Sequence, residues 1–154
     1  MKNITALLLF IFAGLNATAY GEEIGEVTTV FKLLSPNSKI VIEAFDDPEV
    51  PGVTCHVSKA KTGGLKGAVG LAEDPSEASI ACRQMGPIDL SKIADLKNGD
   101  IVFKESRSLI FKTLQVVRFF DKKRNVLIYL VYSDKLIDGS PKNSISTVPV
   151  MKWN

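Results

Sequence analysis

Apolar and polar residues alternate with a period of two along much of the chain, which is the pattern of half-buried β-strands. Residues 27–33 show this alternation, and residues 40–45 are rich in β-branched and aromatic side chains. Short runs containing Pro, Gly, Asn or Ser separate such segments and indicate turns. The pattern predicts strands at residues 27–33, 40–45, 53–58, 101–106, 109–120, 126–132 and 144–150.

Helical signals are short. Residues 74–77, Asp-Pro-Ser-Glu, have the form of a helix start, and we expect at most one turn there before an extended segment that runs through Cys82. Residues 91–96 predict a short helix capped by Ser91 or Asp89.

The late strands carry the clearest hairpin signal. Residues 121–125 separate two apolar strands, and Asn125 suits a left-handed turn position. Residues 126–132 do not alternate, which predicts a central strand covered on both faces, and Pro149 favours an edge strand. The chain is therefore predicted to be mainly β: an antiparallel sandwich or partly closed barrel of about seven strands with one or two short helices.

The N-terminus has the features of a secretory signal. Lys2 precedes an apolar run at residues 4–15, and Ala17-Thr18-Ala19 has the small residues of a cleavage site. A run of this length is short of the roughly 20 residues that span a bilayer, and no cysteine lies near the cleavage point to carry a lipid. We expect a cleaved signal peptide at residues 1–19 and one exported β-rich domain at residues 20–154, with no membrane anchor.

Charge is unevenly distributed after the predicted signal. Residues 20–80 hold 5 basic and 10 acidic side chains, a net of −5, whereas residues 81–154 hold 13 basic and 7 acidic, a net of +6. We favour acidic and basic elements that face each other within one fold over a basic ligand-binding face. The near-neutral total of an exported chain makes nucleic acid a poor partner.

Two cysteines, Cys55 and Cys82, bracket a glycine-rich stretch. In an oxidising compartment they are expected to pair as a structural disulfide, closing a loop that contributes about 3.6 kcal/mol in the chain-entropy model. A reactive redox pair is the alternative, although the Cys-x-x-Cys spacing of thioredoxin-like sites is absent.

The glycine-rich stretch supplies the ligand-binding candidates. It matches neither the Walker A pattern nor the dinucleotide-binding glycine pattern, so a flexible or closely packed loop is favoured over a phosphate cradle. Ser-x-x-Lys and Lys-Thr-Gly fragments share Lys61, whereas penicillin-interacting enzymes keep these elements apart. The candidates in and beside the loop are Lys61, Thr62, Gly63, Gly64, Lys66 and Glu73.

Other reactive side chains form no recognisable catalytic set. His56 is the single histidine, and on a strand it should point away from the sulfur of Cys55. Acidic turns at residues 46–49 and 73–77 are interpreted as solvated, with cation binding as the alternative. The late basic residues are interpreted as a solvated face, with anion binding as the alternative: Lys104, Arg107, Lys112, Arg118, Lys122, Lys123 and Arg124. We assign no catalytic residue, metal site or cofactor.

Long strings of the chain resemble the CreA family (catabolite regulation protein A) of exported bacterial proteins. They include residues 41–48 (VIEAFDDP), 60–64 (AKTGG), 70–74 (GLAED), 114–119 (LQVVRF) and 140–143 (SPKN). The resemblance implies a periplasmic protein with a cysteine pair at Cys55 and Cys82. It implies no reaction or catalytic residue.

Three functional hypotheses follow. The first is a small periplasmic binding or accessory domain whose partner is a small molecule, a peptide or an envelope protein, because recognition in β scaffolds usually lies in the loops. The second is an enzyme of unknown reaction using Lys61, His56 or the acidic turns near the glycine-rich loop. The third is a redox-linked protein using the two cysteines. The first is favoured because no catalytic constellation is present.

Overall fold

The computed structural model describes residues 18–31, 33–64, 77–106, 113–134 and 142–154. Within these ranges eight strands form two four-stranded antiparallel sheets with sequential order, β1-β2-β3-β4 in the first sheet and β5-β6-β7-β8 in the second. The strands are β1 Glu22–Val30, β2 Ser38–Asp46, β3 Val53–Lys61, β4 Ala78–Gln84, β5 Asp100–Ser106, β6 Thr113–Asp121, β7 Val126–Asp134 and β8 Asn143–Pro149.

The sandwich alternative is confirmed, because the described strands form two separate sheets and no closed barrel. The extended segment through Cys82 is confirmed as β4, the fourth strand of the first sheet. β1 differs from the prediction: it begins at Glu22 and ends at Val30, and its residues are exposed apart from Gly25. The sequence pattern missed its first half because an exposed edge strand needs no apolar face. The predicted helical turn at residues 74–77 and the start of the 109–120 strand fall largely outside the described residues.

The hairpin between β6 and β7 follows the prediction. Asn125 adopts the left-handed conformation at φ 55°, and β7 is a central strand of its sheet. β7 was predicted to be covered on both faces, but only one face is fully buried. The residues that point to the other face are half-buried. Residues 114–118 of β6 are all buried instead. β8 is the edge strand that Pro149 favours.

A short helix, α1 (Leu90–Ile93), lies between the two sheets in the chain. Asp89 is its N-cap, and its Oδ1 accepts hydrogen bonds from the backbone N–H of Ser91 at 3.0 Å and from the Ser91 hydroxyl at 2.6 Å. These bonds hold the pKa of Asp89 below its usual value. Ile93, which is 1% exposed, attaches the helix to the core. The predicted cap is confirmed, and the helix ends earlier than predicted.

The inner faces of the two sheets form one apolar core. The rings of Phe45 on β2 and Phe103 on β5 stack across the sandwich with centroids 4.6 Å apart. Val57, Val116 and Tyr129, from three other strands, are fully buried in the same cluster. Burial of this apolar surface is the main favourable term that holds the sheets together.

A buried ionic network also joins the sheets. The guanidinium of Arg118 on β6 donates from Nη1 to both oxygens of Asp47, at 2.7 and 3.0 Å, and from Nη2 to Glu49 at 2.6 Å. Asp47 and Glu49 lie in the loop after β2, and the hydroxyl of Tyr129 on β7 donates to Asp47 at 2.8 Å. The backbone N–H groups of Glu49 and Val50 donate to Asp47 as well. One carboxylate thus gathers groups from both sheets.

The surroundings of this network determine its protonation. Burial opposes the charge on Arg118, but the carboxylates of Asp47 and Glu49 outweigh it and raise the pKa of Arg118. Burial and the charge of Asp47 raise the pKa of Tyr129 well above its usual value, so its hydroxyl stays protonated and donates. The sequence-based interpretation of Arg118 and Asp47 as solvated is therefore corrected, since they are 1% and 2% exposed, whereas Glu49 stays partly exposed to solvent.

A second ionic cluster lies elsewhere in the core. Lys59 on β3 is 2% exposed and contacts Glu43 of β2 at 2.5 Å and Glu105 of β5. Lys59 lies on the same inward face of β3 as Cys55 and Val57, so its side chain points into the core. Among the described residues no buried side-chain nitrogen or oxygen lacks a hydrogen-bond partner.

Replacing Asp47 with alanine should lower the free energy of unfolding by about 3–5 kcal/mol, because it leaves Arg118 buried without its bidentate partner. The adjacent exposed Asp46, which accepts only from the Thr54 hydroxyl among the hydrogen bonds of the described side chains, is the matched control. Its alanine variant should lose less than about 1 kcal/mol. Urea denaturation measures both, and equal losses would contradict the bridging role of Asp47.

Candidate functional site

The two cysteines form a cross-strand disulfide. Cys55 on β3 and Cys82 on β4 lie directly opposite each other, with Cα atoms 4.0 Å apart, and both are 0% exposed. His56 is exposed on the other face of β3, as its position beside Cys55 predicts. The disulfide is therefore buried from solvent and lies on the opposite face of the sheet from the histidine. It links β4 covalently to β3.

The described part of the glycine-rich loop packs against the turn between β1 and β2. The backbone N–H of Gly63 donates to the Ser38 hydroxyl at 3.1 Å, and that of Gly64 donates to the Pro36 carbonyl at 2.8 Å. A Cβ atom on Gly63 would lie 2.1 Å from that same carbonyl oxygen. Gly64 has φ 101°, a conformation that favours glycine. Residues 62–64 thus have the closely packed form that the sequence favoured over a phosphate cradle.

Four of the six ligand-binding candidates lie within the described residues. Lys61 ends β3 and lies 3.7 Å from a carboxylate oxygen of Glu43, so it extends the buried Lys59 cluster to the surface. Lys61, Thr62, Gly63 and Gly64 line none of the three cavities below. Lys66 and Glu73 lie outside the described residues.

A groove of about 460 Å³ lies between the edges of the two sheets. One wall is β4, and the other comprises β8 and the C-terminal segment. Its lining residues are Cys82, Arg83, Gln84, Thr147, Val148, Pro149, Met151, Lys152 and Trp153. We call this feature the β4–β8 groove.

Side chains, rather than a continuous strand ladder, hold the two walls together. The backbone N–H of Cys82 donates to the Ser146 hydroxyl at 2.8 Å. The Gln84 amide accepts from the Met151 N–H at 2.9 Å and donates to the Met151 carbonyl at 3.0 Å. Since the disulfide fixes Cys82 and Cys82 bonds to β8, the covalent bridge positions one wall of the groove relative to the other.

The groove combines positive charge with exposed apolar surface. Arg83 and Lys152 contribute cationic side chains, and the lining contains no carboxylate. Among the described residues no carboxylate forms an ion pair with either cation. Met151 and Trp153 are 69% and 51% exposed. This site was not predicted from the sequence, although a Met-Lys-Trp run after the last predicted strand was a visible signal.

Two further cavities are smaller. One of about 100 Å³ is lined by Tyr20, Gly21, Glu43, Phe103, Lys104 and Glu105. Its carboxylates, Glu43 and Glu105, already form ion pairs with the buried ammonium of Lys59. The other, of about 360 Å³, is an open depression around Ser58 and Ser79, whose hydroxyl oxygens are 2.8 Å apart.

The acidic turn at residues 46–49 does not form a cation site, and residues 73–76 of the second acidic turn lie outside the described residues. No group of three or more His, Cys, Asp or Glu side chains in these ranges is arranged to hold a metal ion. Asp47 and Glu49, raised as cation ligands, bind Arg118. No helix in the described ranges is long and apolar enough to cross a membrane.

Comparison with known proteins places the chain among close relatives. The family model described as CreA protein matches residues 24–153. The chain is 62% identical over 155 residues to Protein CreA of Escherichia coli strain K12, and the alignment covers 99% of each chain. The Protein CreA sequences of Escherichia coli O6:H1 and O157:H7 match to the same extent. No solved structure matches the chain.

Replacing Gly63 with alanine should lower the free energy of unfolding by about 1–3 kcal/mol, because the new methyl group collides with backbone atoms of residues 36 and 37. Amide exchange at Gly64 should also accelerate as its bond to Pro36 loosens. Gly25 is the matched control, since a Cβ there meets nothing within 4 Å. Urea denaturation and hydrogen exchange measure the effect, and similar behaviour of the two alanine variants would show that the loop is not packed as described.

Proposed function

The chain belongs to the CreA family, and we propose that it is a small periplasmic binding domain that takes its ligand in the β4–β8 groove. The observation that carries the proposal is the groove itself. Its volume of about 460 Å³ falls within the roughly 300–1,000 Å³ of ligand pockets, and it combines apolar walls with a few polar groups.

The groove also lies where binding does not disturb the fold. The two buried ionic clusters and the disulfide hold the sheets from inside, whereas the lining residues Arg83, Met151, Lys152 and Trp153 are exposed. A rigid scaffold that presents exposed side chains limits the ordering cost of binding. The proposal therefore needs no rearrangement of the sandwich.

The periplasmic location rests on two features. Residues 1–19 have the charge, apolar run and small-residue end of a secretory signal. The Cys55–Cys82 disulfide is a bond that persists in oxidising compartments and is rare in the cytosol.

A binding role is favoured over the two other hypotheses by the placement of their residues. The cysteines are buried, which keeps the disulfide from exchanging with a partner thiol. Lys61 neighbours Glu43, while His56 points outward from the opposite face of the sheet to Cys55. These groups do not converge on one reacting position.

Ligand binding can be followed at Trp153, because it is the single tryptophan of the chain and lines the groove. Protein labelled with 5-fluorotryptophan should give one ¹⁹F resonance that shifts saturably with a fraction of a Gram-negative envelope extract. Thr147→Phe should abolish the shift by filling the groove. Thr28→Phe, at an exposed position on β1, should leave it intact. A resonance that no fraction moves, or that moves equally in Thr147→Phe, would refute the groove as the site.

Export should depend on the small residues before the predicted cleavage point. Ala17→Arg and Ala19→Arg should leave a larger, unprocessed chain in cell fractions, while the wild-type protein is released by osmotic shock. Thr18→Ser, at the unconstrained position between them, is the matched control. Wild-type protein found in the cytosol at its full length would refute the proposed location.

A further inference from the structure

One wall of the β4–β8 groove is formed by main chain that bonds to the other wall. The Gln84 amide bonds both the N–H and the C=O of Met151, which is the pair of bonds that a neighbouring strand would make. Val150 is also held by main chain, since its N–H donates to the carbonyl of Asn125 at 3.0 Å. These bonds are satisfied within the chain, so a ligand meets the side chains that line the groove.

The charges in the groove select among peptides. Arg83 uses Nη1 to donate to the Cys82 carbonyl at 2.9 Å, and a guanidinium has five N–H donors, so others are available for a ligand. Lys152 adds an exposed ammonium on the facing wall. A carboxylate can pair with a guanidinium or with an ammonium, and the lining residues supply no carboxylate. An acidic ligand therefore fits the groove, whereas a basic ligand is repelled.

The apolar side chains provide the remaining contacts. Pro149, Met151 and Trp153 line the groove beside the two cations. Trp and Met present large, adaptable contact surfaces at binding sites. A ligand that carries both acidic and apolar side chains along an extended chain therefore contacts both kinds of surface.

We propose that the groove binds an extended acidic peptide segment, with its carboxylates on Arg83 and Lys152 and its apolar side chains against Met151 and Trp153. This inference rests on the proposed function, whose binding site it shares. The occupant is a peptide rather than a lipid, because a peptide can carry a carboxylate for each of the two cations, which lie on facing walls, whereas a fatty acid has one.

Four probes test the assignment, each titrated by calorimetry and by the ¹⁹F signal of Trp153. Three are blocked hexapeptides in which valine alternates with glutamate, glutamine or lysine. The fourth is decanoate, an anionic amphiphile without a peptide backbone. The glutamate peptide should bind at least about fivefold more tightly than the glutamine peptide, and the lysine peptide should bind more weakly still. The affinity of the glutamate peptide should fall as the NaCl concentration rises from about 0.05 to about 0.5 M.

Variants locate the effect. Arg83→Gln and Lys152→Gln should each weaken binding of the glutamate peptide by about fivefold and leave the glutamine peptide almost unchanged. Lys97→Gln is the matched control, because Lys97 is an exposed lysine that precedes β5, at the opposite edge of the second sheet from β8. Thermal unfolding of each variant confirms that it is folded.

The outcomes separate this inference from the proposed function. Equal affinity for the three peptides, or unchanged binding in Arg83→Gln and Lys152→Gln, would overturn the acidic preference. Binding of decanoate in the groove without binding of any peptide would overturn the peptide assignment and leave the groove as a ligand site. If no probe binds while an envelope fraction still shifts the Trp153 resonance, the peptide class fails and the proposed function stands. If neither the four probes nor any envelope fraction shifts the Trp153 resonance, the peptide inference and the proposed function both fail.

Discussion

The bidentate pair between Arg118 and Asp47 is the interaction on which the sandwich depends most. It joins a strand in the middle of the second sheet to the loop that follows β2 of the first, and both residues are almost completely buried. Two charges in a dry interior are tolerated only when each is paired and the remaining hydrogen-bonding capacity is filled. Tyr129, Glu49 and two backbone N–H groups fill it here. The network therefore specifies how the sheets are placed, whereas the apolar core chiefly drives them together.

Part of the uneven charge of the sequence is paired across the sandwich. The first sheet arises from the acidic part of the chain and the second from the basic part. Arg118 meets Asp47 and Glu49 across the sandwich, and Lys59 makes the reverse pair with Glu105. At Arg118, acidic and basic residues of the two parts face each other within one fold, which is the arrangement favoured from the sequence. Arg83 and Lys152 are different: they line the β4–β8 groove without a carboxylate in its walls.

Local features were predicted well because neighbouring residues determine them. The positions of β2 and β3, the left-handed Asn125 turn, the Asp89 cap and the outward direction of His56 all follow from short-range geometry. The buried partners were not predicted, because a charged residue on a strand reads as solvated until its partner is known. Arg118 and Asp47 are 71 positions apart, and Lys59 and Glu105 are 46 apart. The sequence period assigns a face to such a residue but cannot say what covers that face.

The sequence by itself determined the mainly β class, the positions of most strands and turns, and the cysteine pair whose disulfide links β3 to β4. These depend on side-chain period, backbone preference and the few thiols available. Only the tertiary structure decided that residues 62–64 pack against the β1–β2 turn and that the β4–β8 groove is the candidate site. The groove exists because Cys82 and Gln84 bond to Ser146 and Met151, 64 and 67 positions away. Neither wall is a site until packing of the two sheets brings their edges together.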